Sequence, residues 1–217
     1  MITDFEPNYL AFIEFYDEDF PWRYTAASPV SGTATEGKDL LLRPWLALIV
    51  LTAEEFTENH RRQPLPTILV KSPATVLPPH QEIHFWAHTH SNISDGVPDD
   101  ALEKYLESMG KKSQQDPDGL YSRLLCPRRL QANTLYQAFV VPVFEVGRLA
   151  GLGLSPEGVD VQKSAWTSGD NQPLELPVYY QWSFRTSDAF DFEYLVRLLQ
   201  ARTFEPSSFV RPIDCTQ

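Results

Sequence analysis

Trp45 to Thr52, WLALIVLT, is the longest apolar run in the chain, and its reading decides the fold. A membrane-spanning helix needs about 20 consecutive apolar residues, far more than this run offers. A continuous apolar run of this length reads instead as a β-strand buried on both faces. Upstream, Leu10 to Tyr16 mixes β-branched and aromatic residues and predicts another strand. Asp17 to Tyr24 follows as a loop with three carboxylates and three aromatics, and 30–37 reads as a mobile Ser/Gly/Thr tip. Downstream, Ala53 to Asn59 predicts a short acidic helix, Thr67 to Lys71 a strand, and Thr75 to His80 a Pro-rich crossover.

Gln81 to His90 alternates with a period of two, which predicts a strand carrying His84, Trp86, His88 and His90 on one face. In Pro98 to Met109, Leu102, Tyr105, Leu106 and Met109 fall at helical spacing behind an acidic first turn. Thr134 to Phe144 predicts a strand, with Pro142 implying an edge or a bulge, and Leu176 to Thr186 a further aromatic-rich strand. Phe190 to Ala201 predicts a second helix, with Asp188 as its N-cap. About six strands and two main helices without regular alternation predict an α+β fold. Its sheet is expected to be mixed or mostly antiparallel, with long Pro-rich loops. Residues 1–217 read as one domain, which a linker near 155–173 would divide into two lobes; the chain also reads as the N-terminal part of a longer protein.

Composition narrows the partners. Of 217 residues, 18 are Lys or Arg and 29 are Asp or Glu, a net charge of -11. Such a chain repels phosphate backbones, so no nucleic-acid partner is expected. Two cysteines, no signal-peptide pattern and no apolar span predict a cytoplasmic, reducing location without membrane insertion. Eighteen prolines against ten glycines predict short elements joined by stiff connections.

The sharpest chemical motif is Ala87-His88-Thr89-His90-Ser91-Asn92-Ile93-Ser94-Asp95-Gly96. A His-x-His pair on a strand puts two imidazoles on one face, about 6.8 Å apart at Cα, within reach of one metal ion. The run resembles the first motif of the polymerase-and-histidinol-phosphatase family of metal-dependent phosphoesterases. That resemblance implies an alternative function, a metal-dependent hydrolase centred on His88 and His90; the form these residues leave open is a mononuclear site with a carboxylate such as Asp95 or Asp99. The family's centre resembles a two- or three-metal site needing further histidines downstream, and this chain has none after His90. No metal or other cofactor is therefore expected, and no catalytic residue is assigned. Gly147 to Gly153 (GRLAGLG) lacks the Lys-Ser/Thr of a phosphate loop and reads as a tight turn with close packing. Cys126 reads as a buried small hydrophobe rather than a nucleophile. The basic cluster Arg123, Arg128 and Arg129 is expected to pair with carboxylates, the loop Asp17 to Asp19 being the candidate.

Several stretches together resemble an uncharacterised family of bacterial proteins associated with gene clusters for phage-tail-like contractile injection systems. They are 12–24 (Phe12-Ile13-Glu14-Phe15 to Phe20-Pro21-Trp22-Arg23-Tyr24), Leu42-Arg43-Pro44-Trp45 to Leu51, and Leu124-Leu125-Cys126-Pro127-Arg128-Arg129-Leu130. Tyr136-Gln137-Ala138-Phe139, Phe144 to Gly153 and Tyr179-Tyr180-Gln181-Trp182-Ser183-Phe184 complete the set. The resemblance implies a non-enzymatic structural component of a multi-subunit assembly: a baseplate extension, cage or adaptor contacting other protein subunits. The residues expected to carry interaction are Trp22, Arg23, Tyr24, Arg128 and Arg129, because Trp, Tyr and Arg dominate interface energetics; the other reading of Trp22 and Tyr24 is that they fold back onto the chain's own core.

Overall fold

Every residue from Leu46 to Leu51 is buried, and the alternation of those side chains sets the architecture. The computed structural model describes residues 2–5, 10–25, 42–59, 64–91 and 119–187. In chain order its elements are β1 (Ile2–Phe5), β2 (Phe12–Phe15), a 3-10 turn (Phe20–Trp22), β3 (Leu46–Thr52), β4 (Phe56–Asn59) and β5 (Thr67–Val70). There follow α1 (Pro73–Val76), a second 3-10 turn (Ile83–Trp86), β6 (Ala87–Ser91), β7 (Leu120–Leu125), β8 (Leu135–Pro142), α2 (Glu145–Gly151), β9 (Leu174–Pro177) and β10 (Tyr180–Thr186). Three sheets result, in the orders β1-β10-β8-β3, β2-β7-β6 and β4-β5-β9. Within them only β1 and β10 run parallel; the other pairings are antiparallel.

The four-stranded sheet is the middle layer. Successive strand side chains point to opposite faces. Ala47, Ile49 and Leu51 of β3 and Phe139 and Val141 of β8 therefore meet Phe56, Ile68, Val70 and Leu176 from the β4-β5-β9 sheet. On the other face Leu46, Leu48 and Val50, with Ala138, Val140 and Phe184, meet Ala87 and Leu124 from the β2-β7-β6 sheet. The continuous apolar run is thus required by two cores at once.

Among the described residues β3 is the last strand of its sheet, and no further described strand pairs with its outer row of backbone groups. Side chains cover part of that row, toward the end of the strand. Arg128 Nη1 donates to the Val50 carbonyl at 2.8 Å, and the Thr52 amide donates to Glu55 Oε2 at 2.7 Å.

Several expectations are corrected. Ala53 to Asn59 is not a helix. A turn leads into β4, whose Phe56 is buried and pairs with Val70. A helix this short has little intrinsic stability, and the hairpin buries its one aromatic. Gln81 to His90 is a strand only from Ala87; Ile83–Trp86 forms a 3-10 turn that buries Ile83. Leu176 to Thr186 is not one strand but the end of β9 and all of β10, in different sheets. The chain changes sheets between Val178 and Tyr179: the Val178 amide donates to Pro66 O next to β5, and the Tyr179 amide donates to Val140 O of β8, both at 2.9 Å. Pro142 marks neither an edge strand nor a bulge. It ends the central strand β8, opposite Leu46 and beyond the last β10 pair, Tyr180 with Val140.

Gly147 to Gly151 belongs to α2 rather than to a tight turn. Its close packing is at Gly151, where an added Cβ would stand 2.5 Å from Pro177 Cγ. Within the expected linker 155–173, Ala165 and Trp166 are core residues, and Trp166 Nε1 donates to the Pro78 carbonyl at 2.8 Å. The two cores are faces of one sheet, not separate lobes. The expected helices 98–109 and 190–201, the tip 30–37 and the loop 113–118 lie outside the described residues. The described residues form mostly antiparallel sheet with two short helices, and none of their helices is long and apolar enough to cross a membrane.

Candidate functional site

Pro21 stands second in the first 3-10 turn, behind Phe20, where its fixed φ suits the conformation and its missing N–H costs nothing. The turn is clamped to β3: the Trp45 amide donates to Pro21 O and Trp45 Nε1 to Phe20 O, both at 2.8 Å. Around the Trp45 ring stand Phe20, Tyr24 and Tyr179, all edge-on, with centroids 5.8, 5.2 and 5.6 Å away. Edge-to-face pairs of this kind hold rings in fixed orientations. Tyr24 is nevertheless 67% exposed, Tyr179 42% and Tyr180 57%. Tyr180 in turn leans on Trp182 at 5.9 Å. The result is a rigid corner with tyrosines presented to solvent.

The three expected interaction residues of this turn are placed differently. Trp22 turns inward, half-buried against the second core, and Nε1 donates to the Leu42 carbonyl at 3.1 Å. Tyr24 turns outward. Arg23 is held by Asp19 at 2.6 Å and Asp17 at 3.2 Å. The hydrogen bond from Arg23 holds the Asp19 carboxyl below its ordinary value.

The arginine cluster does pair with carboxylates, but not with 17–19. Arg123 takes Glu14 at 2.8 Å, and Arg128 takes Glu55 at 2.6 Å while lying over the Tyr136 ring. Burial alone would raise the Glu55 carboxyl; hydrogen bonds from Arg128 and the Thr52 amide outweigh it and bring the carboxyl below its ordinary value. Arg129 is exposed. Cys126 is 3% exposed, and burial pushes its thiol up to about 11, so the thiolate needed of a nucleophile is suppressed.

His88 and His90 share the outer face of β6, with ring centroids 6.1 Å apart. His90 stacks flat on Tyr121, and His88 is opposite Arg123 in register. His84 and Trp86, expected on the same face, sit in the 3-10 turn instead. Asp95 lies outside the described residues, among which no three His, Cys, Asp or Glu side chains converge as metal ligands would.

Burial, then Arg123 and His88, lowers the pKa of His90; burial, then Arg43, lowers that of His80. The unfolded chain therefore binds these protons at a higher pH than the folded one. Their contribution is complete above the ordinary histidine value of about 6.5 and is lost as pH falls below it. Thermal melts should show Tm falling between about pH 7 and about pH 5, above the range where carboxylates titrate. The double variant His80→Gln, His90→Gln should flatten that slope; an unchanged slope would refute the assignment.

No family model, no curated protein and no solved structure matches this chain.

Reasoning from sequence missed β1 and β7. The second has a visible signal, since Leu120, Ser122 and Leu124 alternate inward along it.

Proposed function

We propose that this chain is a non-enzymatic structural or interaction component of a multi-subunit protein assembly. The observation that carries the proposal is the tyrosine corner: Tyr24 and Tyr179, packed edge-on against Trp45 yet 67% and 42% exposed. Exposed aromatics held rigid by their neighbours offer large contact area with little ordering entropy left to lose on docking. The assembly we have in view is a phage-tail-like contractile injection system in the cytoplasm. There the chain would act as a baseplate extension, cage or adaptor built on an α+β fold.

The test joins native mass spectrometry of the purified chain with affinity purification from its host and negative-stain imaging. A stoichiometric complex with defined subunits is expected. In the double variant Tyr24→Ser, Tyr179→Ser, the Tm should fall by roughly 2–12 °C and the chain stay folded while the complex is lost, because edge contacts of this kind are worth about 0.5–1.5 kcal/mol each. A chain that remains a partnerless monomer, or a double variant that still assembles, would overturn the proposal.

A further inference from the structure

A groove of about 420 Å3 runs between the α1 side of the fold and Cys126 to Arg128. Its walls are Val76, Leu77, Pro78, Pro79 and Pro127, and its polar groups include Glu55, Glu82 and Arg128. We propose that this groove is a docking site for a basic side chain, arginine or lysine, on an extended apolar segment of a partner protein.

The argument is one of charge and shape. Arg128 is neutralised by Glu55, which binds it through both carboxylate oxygens. Glu82 is exposed and makes no ion pair among the described residues. The groove therefore carries one uncompensated carboxylate, on a chain whose net charge is -11. An anionic ligand would meet repulsion there, and a purely apolar one would strip water from Glu82 without replacing it. A guanidinium fits a carboxylate in bidentate fashion, and its methylene stem suits the proline walls. The volume lies in the lower part of the roughly 300–1,000 Å3 range of ligand sites, enough for one long side chain and its neighbours. Proline walls have little conformational freedom to lose on docking.

The site does not depend on the tyrosine corner. Glu55 lies just past the end of β3 and Trp45 just before its start, so the two places are separated by the strand's length of roughly 20 Å.

The experiment titrates the full 15N-labelled chain with the capped peptide acetyl-Leu-Arg-Pro-Leu-amide and, separately, with its glutamate counterpart. The arginine peptide should shift amide resonances of Thr75, Val76, Leu77 and Glu82. Glu82→Gln should weaken binding about fivefold, the scale of one exposed ion pair of up to about 1 kcal/mol. Glu82→Lys should abolish it, and the glutamate peptide should leave the spectrum unchanged. No shift at millimolar peptide, shifts away from the groove, or equal binding by Glu82→Gln would each overturn the proposal. Assembly through Tyr24 and Tyr179 is read separately, so either idea can fail without the other.

Discussion

Replacing Trp166 with alanine is expected to cost about 4 kcal/mol of folding stability. Trp166 is 2% exposed, sits in the core beside the β4-β5-β9 sheet, and bonds the Pro78 carbonyl through its indole. Truncation of a buried Phe or Trp typically costs about 3–5 kcal/mol through lost transfer energy and residual cavity. Here it also leaves the Pro78 carbonyl without its donor. At about 2–4 °C per kcal/mol for a chain of this size, Tm should fall by roughly 10 °C. Urea denaturation followed by far-UV circular dichroism reads the change directly. A loss below about 1 kcal/mol would mean that 155–173 is a linker after all.

The second large effect is expected at Arg128. Its ion pair with Glu55 is three-quarters buried, each side chain being 23% exposed. Arg128→Ala strands the Glu55 carboxylate, uncovers the Val50 carbonyl on the open side of β3, and removes the cation from the face of Tyr136. Breaking a fully buried pair costs about 3–5 kcal/mol, so about 2–3 kcal/mol is expected at this exposure. The pH dependence gives a second readout. The Glu55 carboxyl lies below its ordinary value when folded, so its contribution is present above the ordinary glutamate value of about 4.3 and is lost as pH falls through the folded value. The acid-induced fall in stability should accordingly be shallower in Arg128→Ala than in the parent. A loss under about 0.5 kcal/mol, or an unchanged acid slope, would show that the pair does not seal the strand.

The central strand β3 was legible because a strand buried on both faces leaves an unbroken apolar run in the sequence. Elements defined by their neighbours were not legible. In β4 three of four residues, Thr57, Glu58 and Asn59, are exposed, and only pairing with β5 makes them a strand. Trp166 was hidden because the polar residues around it dominate the composition while one indole anchors the segment. At the site, the proline-stiffened turn was readable, but the division between an inward Trp22 and an outward Tyr24 is imposed by Trp45, far along the chain. The groove could not be read at all. Its walls come from residues near 55, 75–82 and 126–128, which only the assembled sheets bring together.

The double burial of β3 has a consequence for how the chain finds its native pairing. In a strand with one wet face, sliding by a single residue throws the apolar set into water, and that error is strongly penalised. β3 has no wet face: after such a slide Leu46, Leu48 and Val50 would exchange sides with Ala47, Ile49 and Leu51, and both cores would still receive hydrocarbon. Discrimination then falls to the strand's two ends. At one end the Trp45 indole donates to Phe20 O, and at the other Thr52 N and Val50 O meet Glu55 and Arg128. These end clasps act as a vernier for the hydrophobic ribbon between them. Loosening both should populate an off-by-one isomer, visible in refolding as a slow minor phase that converts to the native state only by unzipping.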